Sequence, residues 1–124
     1  MRTPLAMTDT TRLFHNPRCS KSRGALELLR ERGIEPDIVA YLDHAPSIAD
    51  LRELVRMLGS GARSILRSGE PEYAELGLDD PALDDEALIA AMHAHPRLIE
   101  RPIFMRGQRA VVGRPPERVL ELLD

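Results

Sequence analysis

The sequence has one cysteine in 124 residues, no apolar run near the length of a membrane span, no internal repeat and no excess of positive charge. A lone cysteine excludes an internal disulfide and a multi-cysteine zinc site, which leaves a small buried hydrophobe or a reactive thiol. A membrane helix needs about 18 consecutive apolar residues, and the opening stretch MRTPLAMTDT lacks the apolar core of a signal peptide; both point to a cytoplasmic protein without membrane association. The net charge of -3 speaks against a nucleic-acid binder that works by bulk positive charge. It leaves room for local basic clusters that hold a small anion.

The composition, 43% hydrophobic and 30% charged, is that of a soluble globular chain. The length predicts one domain with a real core. The first ten residues lack periodicity and read as a flexible extension, with a second methionine at Met7, so the folded domain is expected over 11–124. TRLFH reads as a strand, and Ala25, Leu26, Leu28 and Leu29 form one apolar stripe on a helix from Ser20 to Arg32, with Gly33 as its stop. DIVAYL reads as a second strand, which makes a parallel strand-helix-strand unit.

A helical region over about 47–97 follows. Ser47 and Asp84 are its expected N-caps and Gly59 a stop, and the stretch between the two helices is expected to be irregular, with one helical patch from Ala62 to Arg67. Beyond Pro96, RPIFM and AVVG flank a turn at Gly107, and a helix opened by Pro115 and Pro116 ends the chain. The expected fold class is α/β, in the order β-α-β, helices, β-β-α.

Cys19 falls between the first strand and its helix, at the carboxyl end of the strand, where ligands gather in α/β sheets. Free amides and the helix dipole favour an anion there. The dipole supplies roughly 0.3–1 kcal/mol, about 2 at best. That lowers a thiol pKa by only about 0.2–1.5. A guanidinium about 4 Å away supplies up to about 4 kcal/mol at an effective dielectric near 20, so neighbouring cations are the larger lever. Arg18 and Arg23 are local candidates, and Asn16, Ser20, Lys21 and Ser22 are unsuited to a packed core. With Ser22 at the fourth position of the Cys-x-x-Cys spacing, no intramolecular disulfide can close, so a second thiol must come from outside.

The segment HNPRCSKSR resembles the active-site loop of the ArsC family, the glutaredoxin-dependent arsenate reductases, in the subgroup with serine after the cysteine. YL with a downstream proline, ILR, EYAELGL, HPRLIERPI and GRPPERVLELL extend the resemblance from about Arg12 to Leu123. It implies a thioredoxin-like core with a helical insertion, and Cys19 as nucleophile. Arg67, Arg101 and Arg114 match the arginines around the oxyanion, His15, Asn16 and Ser22 the supporting loop, and Pro102 the cis-proline opposite the nucleophile. Three guanidinium groups suit a tetrahedral oxyanion and also favour a thiolate.

The resemblance further implies arsenate as substrate, glutathione as co-substrate, glutaredoxin as partner and no bound cofactor. No metal is expected: His15, His44, His93 and His95 lack ligand spacing, and GLDDPALDDEA lacks the pattern of a calcium loop. Two alternatives stand beside arsenate reduction. One is a general glutathione-linked thiol oxidoreductase. The other is a non-catalytic transcriptional regulator of the same fold; such regulators typically carry Cys-x-x-Cys, which Ser22 speaks against.

Overall fold

The structure, a computed structural model, describes residues 10–123. The expected flexible extension falls almost wholly outside the described residues. Two compact units make up the chain. One holds the residues up to Ala40 together with those from Arg101 onward, and the other spans Tyr41–Glu100.

The first unit carries a four-stranded sheet in the order β2-β1-β3-β4, formed by β1 (Thr11–Phe14), β2 (Asp37–Val39), β3 (Ile103–Arg106) and β4 (Arg109–Val112). β1 runs parallel to β2, and β3 is antiparallel to both β1 and β4. With helix α1 (Ser20–Glu31) between β1 and β2, this is the α/β, thioredoxin-like arrangement. Register sets the core: Leu13 lies opposite Phe104, and Phe104 opposite Val111. This apolar row packs with Ala25, Leu26 and Leu29 of α1 and with Val119 and Leu122. Truncating Leu29, fully buried in that cluster, removes about 2–5 kcal/mol of stability.

Both ends of α1 follow from local chemistry. Cys19 is its N-cap, and Gly33, at φ 79, adopts the left-handed conformation open to glycine at a helix end. The hairpin turns at Gly107, whose φ of 60 suits the first turn position of a tight hairpin.

Two expectations need correction here. β2 is three residues long and stops at Val39, because His15 N-H donates to Val39 O as the last rung beside β1 and the chain then turns. The closing segment Pro116–Leu122 is a 3-10 helix, not an α-helix, with Arg118 N-H bonded to the carbonyl of Pro115 three residues back.

The second unit contains α2 (Ile48–Leu58), α3 (Pro71–Glu75) and α4 (Asp85–Ala94). Ser47 Oγ accepts from Asp50 N-H at 3.0 Å, Asp84 Oδ1 accepts from Ala87 N-H at 2.9 Å, and Gly59 closes α2 at φ 73. Leu51, Leu54 and Val55 of α2 and Leu88, Ile89 and Met92 of α4 are its buried stripes. The stretch between them is more ordered than expected. It holds a 3-10 turn at Ala62–Ile65, an isolated antiparallel bridge between Leu66 and Ile99, and α3, where Pro71 occupies a first-turn position that needs no N-H.

Candidate active site

β1 delivers the chain to His15, and a tight turn reverses it into α1. Cys19 N-H donates to Asn16 O at 3.0 Å, with Pro17 at the second turn position where its fixed φ fits. Asn16 Oδ1 accepts from Arg18 N-H at 3.0 Å and stiffens the loop from within. Behind the loop, Ser22 is fully buried. Its Oγ accepts from Asn16 N-H at 3.0 Å and shares a 2.6 Å hydrogen bond with His15 Nδ1. The strand end, the loop and the first turn of α1 are thereby tied together.

Burial first, then the charges of Arg30 and Arg23, hold the His15 pKa below the ordinary imidazole value, so the ring is neutral near pH 7. His15 thus serves the loop as a hydrogen-bonding group and adds no positive charge to the site.

Cys19 is partly exposed. As N-cap it stands where a serine or aspartate side chain would accept from the second and third amides of a helix. The thiol makes no conventional cap hydrogen bond. Burial alone would push the thiol up, but the main-chain N-H groups of Ser22 and Lys21, and then Arg101 by hydrogen bond and charge, pull it down and prevail. These donors stabilise the ionised form of the sulfur relative to an ordinary thiol.

Arg101 and Arg114 come from the opposite end of the sequence. Arg101 precedes Pro102 across a cis peptide bond, and the Arg114–Pro115 bond is also cis. Arg114 Nη1 donates to the Arg101 carbonyl at 3.1 Å. Gly113, next to Arg114, packs against Pro102: its N-H donates to Pro102 O at 2.9 Å, and a Cβ there would lie 2.9 Å from both Pro102 Cγ and Val119 Cγ1. Only a residue without a side chain allows this approach.

A model of the ArsC family matches residues 14–122. The chain belongs to the ArsC family. An arsenate reductase of Neisseria meningitidis is 49% identical over 113 residues, 90% of this chain and 97% of that protein. The uncharacterized protein YfgD of Escherichia coli K12 is 49% identical over 118 residues, 94% of this chain and 99% of that one. Among solved structures, an arsenate reductase from Vibrio cholerae superposes with a TM-score of 0.88 at 47% identity, covering 92% of this chain and 98% of that chain.

Within this ArsC family member, the first unit brings together Cys19, His15, Asn16, Ser22, Arg101, Pro102 and Arg114. Arg67 belongs to the second unit. Its Nη1 donates to Glu100 Oε1 at 2.9 Å and its Nε lies 3.4 Å from Glu70 Oε2, so it holds two carboxylates. The Leu66–Ile99 bridge sets Arg67 beside Glu100. The Ser22 and Lys21 amides that act on sulfur are the free helix-start amides expected from the sequence, whereas the two acidic partners of Arg67 and the close approach at Gly113 were not anticipated. Only Gly113 left a trace, as the first letter of GRPP. Among the described residues, no group of three or more His, Cys, Asp or Glu is placed to hold a metal ion, and no helix is long and apolar enough to cross a membrane.

Proposed function

We propose that this ArsC family member reduces arsenate, with Cys19 as nucleophile and thiols as the source of electrons. The single observation that carries the reading is the setting of Cys19, an N-cap thiol held below its ordinary pKa by two helix amides and the Arg101 guanidinium. The arsenate reductases among its relatives support the choice of oxyanion.

In this reading arsenate binds with its oxygens toward Arg101 and Arg114, whose planar forks suit a tetrahedral anion. Arg67 enters on its matched ILR context alone. The Cys19 thiolate attacks arsenic, an arsenate oxygen leaves as water, and a sulfur-arsenic adduct forms. The donors that stabilise the thiolate then face the charge that builds on the transferred oxyanion. Glutathione attacks the adduct and glutaredoxin resolves the glutathionylated intermediate, as in the subgroup with serine after the cysteine. Across the cycle one arsenate and two thiols yield arsenite, one disulfide and water, with arsenic gaining the two electrons that the thiols lose. Ser22 and the absence of a second cysteine suit an external reductant, and a glutathione-rich cytoplasm supplies it.

Purified protein with arsenate, glutathione and glutaredoxin consumes reducing equivalents, and the Cys19→Ser variant does not. Arg101→Lys keeps the charge but loses the fork, and lowers turnover by about a hundredfold. A wild-type protein without arsenate-dependent turnover under these conditions removes the assignment.

A further inference from the structure

Charge around the cysteine loop is segregated. Between Thr11 and Leu26 the chain carries Arg12, Arg18, Lys21 and Arg23 and no acidic residue, within a protein whose net charge is -3. Arg18, Lys21 and Arg23 are exposed, whereas Arg101 and Arg114 are partly buried. Arg23 Nη1 donates to Pro17 O at 2.9 Å, which folds its guanidinium back over the cysteine loop. Several exposed arginines elsewhere are paired with carboxylates, Arg30 with Glu35, Arg52 with Glu86 and Arg97 with Glu70. The first turn of α1 has no acid, and the first one along the helix is Glu27.

Two tiers of positive charge result, and they suit two different anions. The inner tier, Arg101 and Arg114, suits the oxyanion. We infer that the outer tier, Arg18, Lys21 and Arg23, selects the thiol that reacts at Cys19, favouring a small thiol that carries carboxylates over neutral or cationic thiols. This deepens the proposed reduction, since it names the residues that would admit its reductant. Exposed charge acts mainly on encounter, through the field at the mouth of the site.

The test leaves arsenate out, so its result and that of the turnover assay are independent. Cys19, as the sole thiol, is converted to its mixed disulfide with 2-thiopyridine. An incoming thiolate then attacks the Cys19 sulfur, the bond to the thiopyridyl sulfur breaks, and the released thiopyridone is followed by absorbance. Rates are measured with glutathione, 2-mercaptoethanol and cysteamine, for wild type, for Arg18→Glu/Lys21→Glu and for the milder Arg18→Gln/Lys21→Gln. Ratios of variant to wild type cancel the intrinsic reactivity of each thiol.

The charge-reversed variant is expected to react about tenfold more slowly with glutathione, with little change for 2-mercaptoethanol and a gain for cysteamine. The neutral variant falls between. In wild type, added salt erodes the glutathione advantage. Equal ratios for the three thiols in both variants overturn the inference. Reduced glutaredoxin is run as a fourth incoming thiol, and an effect confined to it also overturns the inference, since that would make the tier a protein-docking surface.

Discussion

Arg114 holds the main chain of Arg101: its Nη1 donates to the Arg101 carbonyl at 3.1 Å. The guanidinium that acts on the Cys19 sulfur is thus carried by a backbone position that a second arginine fixes. Replacing Arg114 by glutamine should raise the Cys19 pKa toward the ordinary thiol range although Cys19 and its helix are untouched. Lysine at 114 keeps a charge nearby but not the planar donor geometry, and should fall between wild type and glutamine. The pH dependence of Cys19 alkylation by iodoacetamide measures both.

Gly113 permits the contact that brings this segment against Pro102. A methyl group there meets Pro102 Cγ and Val119 Cγ1 at 2.9 Å, and one of these must move. Gly113→Ala should cost about 1–3 kcal/mol of stability, the usual range for overpacking. Urea unfolding checks it, and the variant's thiol titration should shift upward as well, because Pro102 follows Arg101.

His15 gives a pH dependence of defined sign. Its pKa in the folded protein lies below the ordinary value of 6.5, chiefly through burial, so the unfolded chain takes up the proton first. Stability is full above the unfolded pKa, declines as pH falls below it, and levels off once the folded-state pKa is passed. His15→Gln should flatten the slope of stability against pH just below 6.5. Unfolding at several pH values measures that slope for both proteins.

Arg67 is tied to Glu100 and Glu70, and all three are partly buried. Arg67→Ala removes the guanidinium from Glu100 and leaves Glu70 with Arg97, and should cost about 1–3 kcal/mol, between the values of exposed and fully buried pairs. A double-mutant cycle with Glu100→Gln should return a coupling energy of favourable sign. Full additivity would show that the ion pair contributes nothing.

Legibility in the sequence followed the range of each interaction. The stripe of Ala25, Leu26 and Leu29, the caps at Ser47 and Asp84 and the glycine stops at Gly33 and Gly59 depend on neighbours within a few positions, and were readable as spacing. The exposed helix mouth at Cys19 was readable for the same reason. The pairing of Arg101 with Cys19 spans most of the chain, and only the family resemblance pointed to it. The C-terminal end of DIVAYL as a strand was set by its partner: pairing ends where His15 N-H meets Val39 O, which its own β-forming residues do not encode. The carboxylates on Arg67 were hidden in part because Glu100 reaches it through a bridge between distant segments.

The account rests on an ionised sulfur at Cys19, and the most direct test is the ultraviolet absorbance of its thiolate as a function of pH. The chain has a single cysteine, so one titration belongs to one site. Wild type should titrate below the ordinary thiol range, and Arg101→Gln should move the midpoint upward. A wild-type midpoint at or above that of an unstructured cysteine peptide would contradict the account.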